Sequence, residues 1–142
     1  MVKNIYEVWD EFKKAKNKEE RKEVLRKNDS ETLRIVIQGA MHPAIQYVFD
    51  SPAPYKPSDA PPGMGYMNME GAVKKIYLYV KGSKRVDPNV SQSRKENLFI
   101  QLLESMEAPE SEVLMNMVLK DLKVKGLTPE LVKEVWPGIL PD

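Results

Sequence analysis

The stretch ESEVLMNMVLKDLKVKGLTPELVKEVWPGILPD, Glu110 to Asp142, decides the fold class. Val113, Leu114, Met117, Val118 and Leu122 recur at helical spacing and lie along one face. The spacing predicts a helix from Glu110 to Lys123, closed by Gly126. Thr128-Pro129-Glu130 reads as a new helix start, with threonine as cap and proline at the first helical position. Leu131, Val132 and Val135 form its inward stripe, and Trp136-Pro137-Gly138 stops it.

Outward from this stretch the same period repeats. Ile5, Val8, Trp9 and Phe12 line one helix face, with Asn4 as its cap. Lys18 to Lys27 reads as a second helix with a thin apolar edge, Val24 and Leu25, ending at Asn28. Asp29 or Ser30 caps a third, whose inward residues are Leu33, Val36 and Ile37. Pro43 fits the first turn of a helix from Ala44 to Phe49. Another is expected from Met69 to Val80 or Lys81, through Val73, Ile76, Tyr77 and Val80, broken by Gly82-Ser83. Ser91 or Ser93 caps the next, through Leu98, Leu102, Leu103 and Met106, divided at Ala108-Pro109 from the helix that starts at Glu110. No strand pattern competes over comparable length, and no internal repeat is present. The expected fold is all-α: a single multi-helix domain over residues 1–142, with about seven helices. Trp9, Leu103 and Trp136 should be buried in its core.

Ser51 to Met69 departs from this pattern. Pro52, Pro54, Pro57, Pro61 and Pro62 exclude a regular helix or central strand, so 51–69 is expected to be an extended loop. It leads into Gly63-Met64-Gly65-Tyr66, with Tyr55 and Tyr66 as candidate anchors to the surface.

The 142 residues include 22 Lys and Arg, 21 Asp and Glu, and no cysteine. A net charge of +1 is neutral on the question of nucleic acid. Its distribution is uneven: Lys74, Lys75, Lys81, Lys84, Arg85, Arg94 and Lys95 face only Asp87, whereas Glu104, Glu107, Glu110 and Glu112 run without a base. No stretch reaches the roughly 20 apolar residues of a membrane span, and MVKNIYEVWDEFKK lacks the apolar run of a signal peptide. The expectation is an intracellular protein that does not engage membranes.

Motifs for catalysis are missing. His42 stands alone before Pro43, where a cap or packing role is the ordinary one. With one histidine and no cysteine, no metal site is expected. No phosphate-cradling glycine motif occurs, so no nucleotide cofactor is expected. Glu104, Glu107 and Glu110 read as a solvated helix face, and Met64, Met67 and Met69 as loop packing. Binding remains. The Gly126–Thr128 turn opens a helix N-terminus, a place for a phosphate oxygen, with Lys120, Lys123 and Lys125 just before it.

Residues Val113 to Asp142 resemble the end of the N-terminal DNA-binding domain of T-even bacteriophage ATP-dependent DNA ligases. The shared elements are an apolar helix, the basic-Asp-Leu step Lys120-Asp121-Leu122, the turn glycine Gly126, and Val135-Trp136-Pro137-Gly138-Ile139-Leu140-Pro141. A second block, RKEVLRKNDSETLRIVIQGAMHPAIQYVF from Arg21 to Phe49, is similar to the early helix pair of that domain; Gly63-Met64 to Met69 matches more weakly. The ligase K-x-D-G motif is absent.

The resemblance implies a stand-alone, non-catalytic phage module in the cytoplasm of the host cell. It would bind double-stranded DNA, nicked duplex included, through phosphates and the minor groove, with little sequence preference. Carried over, Lys120 takes the basic position and Gly126 the turn, where a side chain would block approach to the backbone. Lys123 and Lys125 add charge and Thr128 the helix start. Lys81, Lys84, Arg85, Arg94 and Lys95 join on charge alone. The alternative is an accessory or adaptor protein that keeps the fold and binds a phage or host replication or repair protein, with less dependence on salt. A hydrolase or nuclease would need a metal-carboxylate site that the sequence does not offer.

Overall fold

The computed structural model describes residues 4–59, 67–83 and 89–141. Seven α-helices are found among them: α1 (Ile5–Lys14), α2 (Lys18–Lys27), α3 (Glu31–Met41), α4 (Met69–Val73), α5 (Gln92–Glu104), α6 (Ala108–Val118) and α7 (Pro129–Val135). A 3-10 turn, Ile76–Tyr79, follows α4. The all-α reading stands. The only β pairings among the described residues are the isolated bridges Tyr47–Val80 and Met67–Met106.

Short polar residues set most of the helix starts. The Asn17 side chain accepts from the Glu20 N–H, Ser30 from Leu33, Asn68 from Gly71, Ser91 from Arg94, and Thr128 from Leu131. Each satisfies one backbone donor that a helix start leaves open. At α1 the Asn4 N–H donates back to Glu7 Oε1 at 3.1 Å. Ser30 and Ser91 are the caps where the sequence offered two candidates each. Asp29 instead takes Arg34 in a two-pronged pair at 2.7 and 2.6 Å.

The core is built around α6. Every residue from Val113 to Val118 is buried, as are Glu110 and Ser111, because α1, α3 and α5 all pack on this helix. A helix buried on nearly every side shows little amphipathic contrast. Beside it, α2 is held between α1 and α7, and α4 rests on α3. Trp9, Leu103 and Trp136 are all buried. The tail after α7 folds back to α3, where Gln38 Nε2 donates to the Ile139 carbonyl at 2.9 Å. Arg34 lies over the Trp136 ring, 5.6 Å from its centre. No helix is long and apolar enough to cross a membrane among the described residues.

Three helix expectations need correction. Ala44 to Phe49 is not helical: Val48 N–H donates to the Tyr79 carbonyl at 2.8 Å and Lys81 N–H to the Gln46 carbonyl at 2.7 Å. The β-branched and aromatic side chains here suit an extended backbone. Phe49 stacks on Phe99 at 4.8 Å and meets Tyr79 at 5.5 Å. The helix expected from Met69 to Val80 is split at Lys74-Lys75, and Val80 pairs with Tyr47 instead of completing a turn. Finally, α6 ends at Val118 rather than Lys123.

The proline-rich segment has no helix or strand between Ser51 and Asp59, and Tyr55 packs against the core as an anchor. Residues Gly63, Met64, Gly65 and Tyr66 lie outside the described residues, as do Lys84 and Arg85.

Candidate nucleic-acid interface

The loop from Leu119 to Thr128 holds several of the sequence candidates. It begins with a left-handed residue, Lys120 at φ 65°, and turns again at Lys123, φ 57°. Non-glycine residues seldom adopt this backbone, so something must hold each one. For Lys123, Asp121 Oδ1 accepts its N–H at 3.1 Å and closes a small turn.

For Lys120 the side chain supplies the hold. Its Nζ donates to the carbonyls of Gly39, His42 and Ile45 at 3.0, 2.7 and 2.6 Å. These groups end α3 and begin the segment after it. A cation there complements the negative helix end and satisfies carbonyls the helix leaves open. Burial draws the lysine pKa below its usual value; the three acceptors favour the ammonium. This corrects the expectation that Lys120 faces a duplex: all three of its protons point into the protein.

Between the two lysines and the final helix the loop alternates. Leu122, Val124 and Leu127 are buried, whereas Asp121, Lys123 and Lys125 are exposed. The segment is extended and pinned by its apolar residues, so that Lys123 and Lys125 point outward. It forms one wall of an open groove of about 680 Å³, whose other wall includes Ala40 and Met41 at the end of α3.

Gly126 closes the loop at φ 89°. A Cβ built on it would lie 3.0 Å from the guanidinium carbon of Arg21. The left-handed backbone is what calls for glycine, and the group that comes close to it is the Arg21 guanidinium of α2. That residue went unremarked in the sequence, where α2 is charged at most positions and nothing local marks one arginine. The turn thus collects Arg21, Lys123 and Lys125, and none of the three is in an ion pair among the described residues. Neighbouring cations differ: Lys18 and Lys22 share Glu134, and Lys27 pairs with Glu11.

The helix start after the loop offers less than its sequence suggests. Pro129 has no N–H, the Leu131 N–H goes to Thr128 Oγ1 at 3.3 Å, and the Val132 N–H goes to the Thr128 carbonyl. Thr128 is a structural cap and leaves little room for a phosphate cradle.

Lys81, Arg94 and Lys95 belong to a neighbouring region. The segment 45–48 links the two: Ile45 accepts from Lys120, Gln46 from the Lys81 N–H, and Val48 from the Gln92 side chain at the start of α5. Lys81 and Arg94 are exposed and Lys95 is half-buried. Lys84 and Arg85 fall outside the described residues, so the structure neither joins them to this surface nor separates them from it.

The carboxylates also sort differently from expectation. Glu104 is exposed and accepts the Lys56 N–H at 2.8 Å. Glu107 and Glu110 are buried, which corrects their reading as a solvated face. Glu110 Oε1 accepts the N–H of Tyr6, in the first turn of α1, at 3.2 Å. Burial pushes its pKa up to about 7, with the negative charges of Glu107 and Glu7 adding to the rise. His42 caps locally, its Nδ1 accepting the Ala44 N–H at 3.1 Å. No group of three or more potential metal ligands is gathered among the described residues.

The arrangement offers a turn whose three cations form no ion pair among the described residues and, beside it, a groove. A family model described as a family of unknown function, DUF6433, matches residues 8–124 of the chain. No curated protein matches it.

Proposed function

The chain belongs to the family of unknown function DUF6433, and we propose that within it this protein is a non-catalytic helical module that binds duplex DNA through its phosphates. One observation carries the reading. Arg21, Lys123 and Lys125 converge on a single turn, and none is in an ion pair among the described residues. Cations already paired to carboxylates gain little by exchanging them for phosphates. Unpaired ones release condensed counterions from DNA and gain the full effect. Lys81, Arg94 and Lys95 extend the positive surface beyond the segment 45–48. Such contacts position a duplex without reading its bases, so binding is sequence-independent.

The test is fluorescence anisotropy on intact and nicked duplexes of two unrelated sequences, each at several salt concentrations. The wild type should lose affinity steeply with salt. An Arg21/Lys123/Lys125→Ala variant, verified as folded by circular dichroism, should flatten the log–log slope by roughly 2–3, at about 0.9 for each phosphate no longer neutralised. Equal binding by variant and wild type would place the interface elsewhere. Absence of binding at low salt would favour a protein partner instead.

A further inference from the structure

The chain leaving α3 makes a braced tip before the segment 45–48. Ile45 N–H donates to the His42 carbonyl at 3.1 Å and closes a β-turn with Pro43 and Ala44 at its apex. Proline presets the first central position of such a turn and brings no N–H. Most of the remaining polar groups are used internally. The Ala44 N–H goes to His42 Nδ1 at 3.1 Å, and the Pro43 carbonyl accepts from the Gln46 side chain at 3.0 Å. The His42 and Ile45 carbonyls accept from the Lys120 ammonium at 2.7 and 2.6 Å. The same ammonium reaches the Gly39 carbonyl, so it offsets the negative end of α3 beside the tip. The side chains exposed at the apex, Pro43 and Ala44, are small, apolar and uncharged. No acidic residue occurs from Met41 to Phe49.

Cations adjoin this tip through two different sets of contacts. Through Lys120, Ile45 adjoins the loop that carries Lys123 and Lys125. Through its carbonyl, Gln46 adjoins Lys81, and Val48 adjoins the start of α5, which carries Arg94 and Lys95. An apex without charge or free donor has nothing to give a phosphate, but it fits between two rows of phosphates that flanking cations hold. The major groove of a duplex, about 12 Å wide, takes a helix or a β-ribbon; the minor groove, about 6 Å wide, takes something slimmer. Resting on the DNA reading above, we propose that the Pro43–Ala44 tip enters the minor groove, with Lys123 and Lys125 toward one strand and Lys81 and Arg94 toward the other. Such a tip sets how the protein sits on the duplex and reads no bases, since it presents no side-chain hydrogen-bonding group to them. Lys120 then acts as a positioning residue: it touches no DNA and holds the turn that does, and a contact surface fixed in advance loses less freedom on binding.

The test is fluorescence anisotropy on an A·T-rich duplex at about 0.15 M salt, where exposed charges more than about 8 Å apart are largely screened. Ala44 is exposed and bonds through its backbone, so substitutions there keep the turn. Ala44→Glu should weaken binding roughly tenfold and Ala44→Arg should tighten it roughly threefold, because only a charge close to DNA is felt under these conditions. Ala44→Trp, too broad for the narrow groove, should weaken binding and leave the salt slope unchanged. Netropsin, a ligand that fills the minor groove, should displace the protein. Lys120→Met, assayed where circular dichroism shows it folded, should weaken binding roughly threefold with the slope unchanged, since the turn loses its brace and no phosphate contact is lost. Salt-dependent binding that no Ala44 variant alters would overturn the tip and leave the phosphate reading standing. Ala44 effects without competition from netropsin would put the tip outside the minor groove and overturn the proposal. Absence of duplex binding by the wild type at low salt would overturn the DNA reading and the tip with it.

Discussion

Lys120 and Glu110 are ionisable residues that the fold uses internally. The Lys120 ammonium ties α6 to the end of α3 and holds its own left-handed backbone in place. Lys120→Met should therefore destabilise the protein by about 2–3 kcal/mol, the loss of charge-assisted bonds together with partly buried carbonyls left open. Urea unfolding measures this. The salt slope of DNA binding should not change, whereas removing a phosphate-contacting lysine would lower it by about one. Glu110 makes the opposite kind of statement. Its folded carboxyl takes up a proton near pH 7, against an ordinary value of 4.5. Between these values the folded state binds more protons than the unfolded one, so stability falls as pH rises from about 5 to 7 and then levels. Glu110→Gln keeps an acceptor for the Tyr6 N–H and removes the charge. It should flatten that dependence and stabilise the protein above pH 7 by on the order of 3 kcal/mol. Thermal unfolding from pH 5 to 8 distinguishes the two proteins; parallel curves would show that the carboxyl stays charged throughout.

At the scale of elements, the sequence was legible wherever a cap and a 3.6-residue period coincided. Ser30, Ser91 and Thr128 each mark a helix start, and Lys18–Lys27 has the predicted bounds. It misled where an apolar run could satisfy either period. Tyr47 and Val80 lie within helical spacing of their neighbours but pair with each other across the sequence, a tertiary choice that no local window contains. The loop after α6 is a subtler case. Leu122-Lys123-Val124-Lys125 alternates with a period of two, the mark of an extended segment. The extrapolated helical stripe obscured that alternation, because Leu122 fits both. The candidate site was half legible for the same reason. Lys123, Lys125 and Gly126 are local, but Arg21 reaches the turn only through the packing of α2 on α7. The inward aim of Lys120 likewise depends on carbonyls of Gly39, His42 and Ile45, far away in sequence. Lys123→Gly separates fold from function within this element. Relief of the left-handed backbone should stabilise the loop by about 0.5–1 kcal/mol. Loss of the cation should weaken duplex binding and lower the salt slope by about 0.9. A variant with unchanged stability would mean that Asp121 already offsets the strain; unchanged DNA affinity would remove Lys123 from the interface.

At the scale of the whole molecule, the proposed binding surface and the core share one scaffold. Buried on most sides, α6 supports α1, α3 and α5, while the loop leaving it carries Lys123 and Lys125. The wider frame depends on distant partners. Tyr6 binds Glu110, Lys22 binds Glu134, and Gln38 binds Ile139, each across more than a hundred residues of chain. The position of α2 between α1 and α7 has a consequence for synthesis on the ribosome. Val24 and Leu25 form a narrow apolar edge, and half of the packing around α2 comes from a helix translated more than a hundred residues later. Until α7 has left the exit tunnel, α2 has only α1 beside it, and a ten-residue helix is marginal in water without tertiary support. Nascent chains halted before Pro129 should thus be cut by trypsin within Lys18–Lys27, a segment rich in its target residues. Chains extended by a linker until Val135 is outside the tunnel should resist. Equal protection at both lengths would show that the early helices close without α7. The expected difference makes the emergence of α7 the moment at which Arg21 meets Gly126, so the cationic turn is assembled only after the helices α1 to α6 have emerged.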